Sequence, residues 1–245
     1  MQATFLQQFM SNAFPDRLAS LDVAALRASY LAQNEFIFIE KFLTEDILAE
    51  LTQKIDDLMP LIHRSFIPGH KKGGSVSRYY LDRYAPAFEA FYGNSTFIEF
   101  LGAITEAELK SCPPSDPHTY ALYCYTEPGD HIGYHYDTSY YNGARYTVLV
   151  GLIDESHCRL EYELFRDDPK RETTSGSIQL TPGSLVLFNG DNVYHRITPA
   201  QEGDKRIALT LEYVTDPSMQ PFKRFVSNMK DAIAYFGFRQ VFARR

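Results

Sequence analysis

The segment Thr119–Asp137, TYALYCYTEPGDHIGYHYD, predicts two β-strands, Thr119–Tyr125 and Tyr134–Asp137, separated by the turn formers Pro128-Gly129-Asp130. Aromatic and aliphatic residues that favour strands dominate both ends of the segment. Short apolar segments between Gly, Pro, Asn and Asp turns continue this pattern to residue 214. They predict six further strands: Arg145–Leu152, Arg159–Phe165, Ser177–Leu180, Ser184–Phe188, Val193–Ile197 and Arg206–Val214.

Eight short strands without intervening helices predict an antiparallel sandwich or barrel, most simply a jelly roll. Upstream, EFIFIE at Glu35–Glu40 predicts one more strand. Helical spacing of apolar residues predicts helices over 44–58, with Thr44 as N-cap, over Phe88–Leu109, and at the end of the chain over Met219–Tyr235. We therefore expect a mainly β chain of the α+β class, with a cupin-like double-stranded β-helix core and flanking helices.

No linker rich in Pro, Gly or Ser divides the chain, so we expect residues 1–245 to form a single domain. Residues 1–34 would form an N-terminal helical extension, residues 35–215 the jelly-roll region and residues 216–245 the C-terminal helix. The glycine-containing stretch His63–Tyr84 predicts a loop, and Lys71-Lys72-Gly73-Gly74 within it predicts a mobile lid over the mouth of the barrel.

Charge and cysteine content argue against several classes of protein. A net charge of −7 without a basic stripe argues against nucleic-acid binding. Three cysteines without CxxC spacing argue against a disulfide framework or a zinc ribbon, and they favour a reducing, cytoplasmic location. No apolar run approaches the roughly 18 residues of a membrane span, and the first residues do not resemble a secretory signal. The sequence indicates no oligomeric state.

An H-x-D pair, His135 and Asp137, lies at the end of a predicted strand. Residues two apart in an extended chain point to the same face, so both side chains can reach one metal ion. His195, in another predicted strand, offers a third ligand. Two histidines and one carboxylate on one face of a metal are typical of non-haem Fe(II) oxygenases. Because an isolated H-x-D is common by chance, this interpretation depends on the surrounding sequence.

Arg206 opens an apolar strand downstream of His195. A guanidinium that points into a dry barrel needs an anion, because an unpaired buried charge is costly. A dicarboxylate held by two parallel hydrogen bonds would supply that anion. A salt bridge to Asp204 or Glu212 is the structural alternative.

Two segments, Tyr125–Asp137 and Leu180–His195 followed by Arg206, resemble the iron-binding segments of 2-oxoglutarate- and Fe(II)-dependent oxygenases. The resemblance is to the prolyl-hydroxylase-like branch and extends over about residues 35–215. It implies a catalytic metal site in which His135, Asp137 and His195 bind Fe(II). It also implies that Arg206 binds the C5 carboxylate of 2-oxoglutarate and that Tyr125 donates a hydrogen bond to this co-substrate.

The resemblance further implies the reaction and its cofactors. The expected activity is a dioxygenase reaction that hydroxylates an unactivated C–H and decarboxylates 2-oxoglutarate to succinate. The substrate would be a small molecule, such as a free amino acid, or an amino-acid side chain. The cofactors would be Fe(II), 2-oxoglutarate and O₂, with ascorbate as a reductant.

One position departs from the family pattern, because Ala208 stands where relatives carry the Ser of an Arg-x-Ser motif. Thr210 or a tyrosine is expected to take over its hydrogen bond to the co-substrate. Arginines and aromatic residues near the predicted site could bind substrate, although each could equally serve in packing. These substrate candidates are Arg78, Tyr80, His131, Tyr141 and Arg145.

Two other functions remain open at this point. The chain could be a cupin-like metal-binding protein or isomerase that does not use 2-oxoglutarate. The same iron chemistry could also demethylate nucleic acid, but the acidic composition argues against that substrate.

Overall fold

The structure of the protein is a computed structural model that describes residues 6, 14–219 and 235–237. Its helices are α1 (Val23–Ala32), α2 (Glu45–Thr52), α3 (Ile55–Leu58), α4 (Arg78–Tyr84), α5 (Ala87–Tyr92) and α6 (Ser95–Thr105). The first six strands are β1 (Phe36–Ile39), β2 (His63–Ile67), β3 (Lys71–Ser77), β4 (Lys110–Ser111), β5 (Tyr120–Tyr125) and β6 (His131–His135). The remaining strands are β7 (Arg145–Glu155), β8 (Leu160–Leu164), β9 (Thr174–Ile178), β10 (Leu185–Asn189), β11 (Tyr194–Ile197) and β12 (Lys205–Val214).

The strands form one antiparallel sheet in the order β1-β10-β7-β12-β5-β3-β6-β11-β8-β9, with β2 added to β3 and β4 to β12. The sheet curls, so that β6, β8 and β11 enclose an apolar cluster together with the inner faces of β7, β10 and β12. The outer faces of these three strands pack against the helices and form the larger core. This curled antiparallel sheet confirms the predicted jelly-roll fold with flanking helices.

Strand β12 separates the helix-side core from the interior of the barrel. It pairs with β5 on one side and β7 on the other. Alternate residues of a strand point to opposite faces, and the sequence of β12 follows that rule closely. Its outer residues in the helix-side core are Ile207, Leu209, Leu211 and Tyr213. The residues that line the interior pocket are Arg206, Ala208, Thr210 and Glu212.

Helix α2 begins where the sequence predicts it. The Thr44 side chain accepts a hydrogen bond from the Ile47 amide at 3.4 Å, and acidic residues occupy the first turn. Buried Ile47 and Leu51 attach the helix to the core. Among the helices that the structure describes, none has both the length and the apolar character that crossing a bilayer requires.

The predicted loop over His63–Tyr84 is wrong, because this stretch forms β2, β3 and α4. Strand β3 lies inside the sheet between β5 and β6, and Lys71 is only 1% exposed. The predicted lid is therefore wrong as well. Glycine is required at position 74, since an added Cβ would lie 2.5 Å from the Ile62 side chain. The sequence KKGGSVS lacks the alternation of apolar residues that identifies a strand, so it does not predict the hairpin of β2 and β3.

Two further boundaries differ from the sequence prediction. The helix predicted over Phe88–Leu109 is two helices, α5 and α6, because Asn94 caps a new helix by accepting a hydrogen bond from the Phe97 amide at 2.9 Å. The strand predicted over Tyr134–Asp137 is β6, which ends at His135, so Asp137 lies beyond the strand. The C-terminal helix predicted over Met219–Tyr235 lies almost entirely outside the described residues.

Replacing Leu209 by Ala should lower the free energy of unfolding by about 2–5 kcal/mol, because the side chain is fully buried in the centre of β12. Chemical denaturation measures this change. Leu31→Ala, at a side chain that is 46% exposed, is the matched control and should change the stability little. Equal effects of the two substitutions would contradict the central position of β12.

Candidate metal centre and its pocket

His135, Asp137 and His195 converge so that their ligand atoms all lie within 4.8 Å of one another. The two histidines are direct partners on the antiparallel strands β6 and β11, with ring centroids 4.4 Å apart. The Asp137 carboxylate lies between them, 3.4 Å from Nε2 of His135 and 3.8 Å from Nε2 of His195. The backbone of Asp137 packs against Gly190, where any Cβ would lie 2.4 Å from the Asp137 carbonyl oxygen.

The hydrogen bonds of both histidines leave one ring nitrogen available for a metal. Nδ1 of His135 is 2.8 Å from the Gly133 carbonyl, and Nδ1 of His195 is 3.1 Å from the Val193 carbonyl. A carbonyl only accepts, so each Nδ1 carries a hydrogen, and Nε2 is the nitrogen through which each neutral ring could bind a metal. Burial, together with the nearby His135, lowers the pKa of His195 to about 4, so this ring is neutral at pH 7.

The carboxylate of Asp137 completes the ligand set. Burial by itself would raise the pKa of Asp137, but His195, His135 and Arg145 outweigh it and hold that pKa well below its ordinary value. The Thr147 hydroxyl also donates a hydrogen bond of 2.9 Å to Oδ2 of Asp137. Two imidazole nitrogens and one ionised carboxylate fit a divalent first-row metal such as Fe(II). Because the three side chains supply only three ligands, other positions on such an ion would stay open.

The pocket extends from the candidate ligands in two directions. Towards one end the wall is largely apolar, and Arg206 lies there beside Tyr125. This wall contains Ile132, Leu149, Ile197 and Ala208. Towards the other end the wall is polar and aromatic, with Asp116, His118, Tyr140, Tyr141, Arg145 and Glu212.

Arg206 is 2% exposed, and no acidic side chain of the described residues pairs with it. Its guanidinium carbon lies 5.0 Å from the centre of the Tyr125 ring. Both acids considered as salt-bridge partners are bound elsewhere. Glu212 binds Arg145 at 2.5 and 2.6 Å, and Asp204 contacts His157 at 2.9 Å. The pocket therefore contains a buried guanidinium that has no acidic partner among the residues described by the structure.

Tyr125 lies directly opposite Arg206 on the neighbouring strand β5. Burial raises the pKa of its phenol, which keeps the hydroxyl protonated and able to donate a hydrogen bond. Thr210 also lines the pocket, further along β12 towards the metal ligands. The structure thus brings the three residues predicted for the co-substrate into the same pocket as the predicted metal ligands.

Of the five substrate candidates, Tyr141 and Arg145 line the pocket. The structure does not bring the other three there. Arg78 lies 3.5 Å from Asp82 and over the Tyr120 ring, because it belongs to α4 rather than to a loop. Tyr80 packs against the helix-side core. His131, at the start of β6, is hydrogen-bonded through Nδ1 to the Gly129 carbonyl.

Sequence reasoning missed several residues of the polar end. Glu212 could have been found, since it shares a face of β12 with Arg206. Thr147 lies opposite Glu212 on β7, a pairing that no local pattern indicates. Asp116 lies in a loop, where its carboxylate accepts hydrogen bonds from the His118 amide and the Tyr141 hydroxyl. Local sequence gives no signal for this placement.

Comparisons with known proteins give a fold and no sequence family. No protein-family model and no curated protein sequence matches the chain. A prolyl hydroxylase from Trichoplax adhaerens, solved with a hypoxia inducible factor peptide, is 17% identical with a TM-score of 0.63, and the match covers 83% of this chain and 92% of that chain. The α-ketoglutarate-dependent epimerase SnoN of nogalamycin biosynthesis is 12% identical with a TM-score of 0.63, covering 78% and 81%.

The α-ketoglutarate-dependent carbocyclase SnoK of the same biosynthesis is 13% identical with a TM-score of 0.63, and the match covers 83% of this chain and 89% of that chain. Each of these proteins is aligned over most of its length, which makes the jelly roll with its flanking helices the shared feature. The fold of this chain is therefore that of the 2-oxoglutarate- and Fe(II)-dependent oxygenases, prolyl hydroxylases included.

Proposed function

We propose that the protein is a dioxygenase dependent on Fe(II) and 2-oxoglutarate that hydroxylates an unactivated C–H. The observation that carries this proposal is one pocket with two features: a ligand set of two histidines and one carboxylate, and the unpaired buried guanidinium of Arg206. A metal-binding protein or isomerase without a co-substrate would have no use for an unpaired buried cation. The cost of keeping one favours an enzyme that binds an anionic co-substrate.

The proposed reaction is balanced, and the residues of this pocket would bind and orient its components. Substrate C–H, 2-oxoglutarate and O₂ would give the alcohol, succinate and CO₂, with one oxygen atom entering each organic product. Bound Fe(II) would supply the activation of O₂, and ascorbate would serve as a reductant. His135, Asp137 and His195 would hold the iron and leave its other positions to the co-substrate and O₂.

The apolar end of the pocket suits 2-oxoglutarate. Arg206 would bind the C5 carboxylate through two parallel hydrogen bonds, and the Tyr125 hydroxyl would donate a third. Thr210, on the same face of β12, would contact the co-substrate nearer the metal. Ile132, Leu149 and Ile197 would surround the carbon chain and exclude water from the reacting centre.

The polar end of the pocket would receive the substrate. Asp116, Arg145 and Tyr141 offer both signs of charge and a hydroxyl, which suits a small polar molecule such as a free amino acid, or an amino-acid side chain on a peptide. Solved structures of similar fold support both kinds of ligand. SnoN has been solved with Fe³⁺, α-ketoglutarate and a nogalamycin, and the Trichoplax prolyl hydroxylase with a peptide.

Replacing Arg206 by Gln should weaken binding of 2-oxoglutarate about ten- to hundredfold, the cost of losing a charged hydrogen bond. Isothermal titration of the metal-loaded protein without O₂ measures the affinity. The variant should fold, because Arg206 has no acidic partner among the described residues to lose. Arg171→Gln, at an exposed arginine, is the matched control and should leave binding unchanged. Equal affinities of R206Q and the unaltered protein would favour a metal protein without this co-substrate.

Replacing Asp137 by Ala should reduce succinate formation from 2-oxoglutarate at least about a hundredfold, because it removes one of three ligands to the iron. The assay uses Fe(II), ascorbate and O₂ and detects succinate by mass spectrometry. Asp167→Ala removes an exposed carboxylate of the same type and should retain the activity. Turnover by D137A at the unaltered rate would show that this carboxylate does not bind the metal.

Isotopically labelled O₂ should distinguish hydroxylation from the other reactions of this fold. We expect one labelled oxygen in succinate and one in the product, with free amino acids and short peptides as the substrate panel. Epimerisation or ring closure, the reactions of SnoN and SnoK, would label succinate and leave the organic product without label. That result would keep the oxygenase assignment and overturn the proposed hydroxylation.

A further inference from the structure

We propose that Thr147, Glu212 and Arg145 form a positioning relay that fixes the orientation of the Asp137 carboxylate for metal binding. This inference rests on the metal site of the proposed function. It assigns no new group to the reacting atoms, since all three residues act through Asp137.

The relay is a continuous chain of short contacts. Thr147 Oγ1 lies 2.9 Å from Asp137 Oδ2 and 3.1 Å from Glu212 Oε2. On the far side of Glu212, Arg145 Nε lies 2.6 Å from Oε2 and Arg145 Nη2 lies 2.5 Å from Oε1. The guanidinium and carboxylate are thus joined by one hydrogen bond from Nε and a second close charged contact from Nη2.

The strands that carry the relay are held in place from both sides. Thr147 on β7 and Glu212 on β12 are direct cross-strand partners, so their side chains emerge side by side on the same face. Arg145 lies on the same face of β7, two residues before Thr147. Thr147 is fully buried and Glu212 is 2% exposed. Neither side chain can therefore move away from Asp137 without disturbing the sheet.

Asp137 needs such support because it lies beyond the last residue of β6. No strand-pairing hydrogen bond holds its backbone, so side-chain contacts have to orient its carboxylate. Among the described residues, Thr147 is the one group outside the ligand set that donates a hydrogen bond to this carboxylate, at 2.9 Å. Hydrogen bonds of this kind orient metal ligands, and their loss commonly costs about 10- to 100-fold in metal affinity.

Arg145 keeps the Thr147 hydroxyl available to Asp137. A hydroxyl has one hydrogen, and here two carboxylates compete for it. Arg145 already supplies Glu212 with an N–H donor, a second close nitrogen and a compensating charge. Glu212 therefore competes less strongly for the hydroxyl hydrogen of Thr147, and this hydrogen remains available for the hydrogen bond to Asp137. Burial raises the pKa of Glu212, and Arg145 is the largest of the influences that oppose that rise.

Replacing Thr147 by Val tests the relay, because it removes the hydroxyl and keeps the shape. The affinity for Co(II), titrated without O₂ or 2-oxoglutarate and followed by visible absorption, should fall about 10- to 100-fold. Thr147→Ser restores the hydroxyl and should bring the affinity back to within about threefold of the unaltered protein. Thr105→Val removes another buried hydroxyl, in α6, and should not change the affinity.

Metal-free melting temperatures separate a positioning role from a loss of structure. T147V and T105V should melt alike while only T147V loses affinity. Glu212→Gln tests the outer half of the relay without removing the threonine. It should weaken Co(II) binding in the unaltered background and much less in T147V, because the relay acts through Thr147, whereas repulsion by the uncompensated charge of Arg145 would act equally in both backgrounds.

Each failure has a different signature. Co(II) affinity of T147V equal to that of the unaltered protein would overturn the relay, and unchanged affinity of E212Q would overturn the part assigned to Glu212 and Arg145. An unaltered protein that binds Co(II) but forms no succinate would overturn the proposed function and leave the relay standing. Failure of the unaltered protein to bind Co(II) would overturn both.

Discussion

Charge compensation inside the barrel is the constraint on which the rest of the site depends. The pocket holds the carboxylates of Asp116, Asp137 and Glu212 and the guanidiniums of Arg145 and Arg206. Arg145 and Glu212 compensate each other directly. Asp116 accepts hydrogen bonds from the His118 amide and the Tyr141 hydroxyl, and Asp137 contacts both His135 and His195. Arg206 has no acidic partner among the described residues. A barrel built for stability alone would carry apolar residues at these positions, because unpaired buried charges destabilise the fold.

Much of this arrangement could be predicted from the sequence because the necessary residues lie on strands with a regular alternation. The pattern predicted β12 and the strands that carry both histidines, and the order of H-x-D, histidine and arginine then indicated their chemistry. The outer partners could not be predicted in the same way. Thr147 meets Glu212 only through the pairing of β7 with β12, and Asp116 reaches the pocket from a loop.

The dependence of structure on pairing between distant strands also explains the errors in the predicted fold. Strand β3 consists of lysine, glycine and serine with a single valine, so its burial inside the sheet depends on neighbouring strands and not on its own composition. Arg78 and Tyr80 belong to the helix that follows this strand. Once the region is assigned to a loop, both side chains are naturally expected near the mouth of the barrel. The wrong placement of these two side chains therefore follows directly from the wrong secondary-structure prediction.

The rigidity of β12 has a consequence for the size of the molecules that the pocket can hold. Arg206 and Glu212 point into the pocket from the same strand, and the rise of an extended chain places their α-carbons about 20 Å apart. Strand pairing on both sides prevents this spacing from changing. The co-substrate proposed for the Arg206 end and the substrate proposed for the Glu212 end would therefore have to fit together within this fixed length.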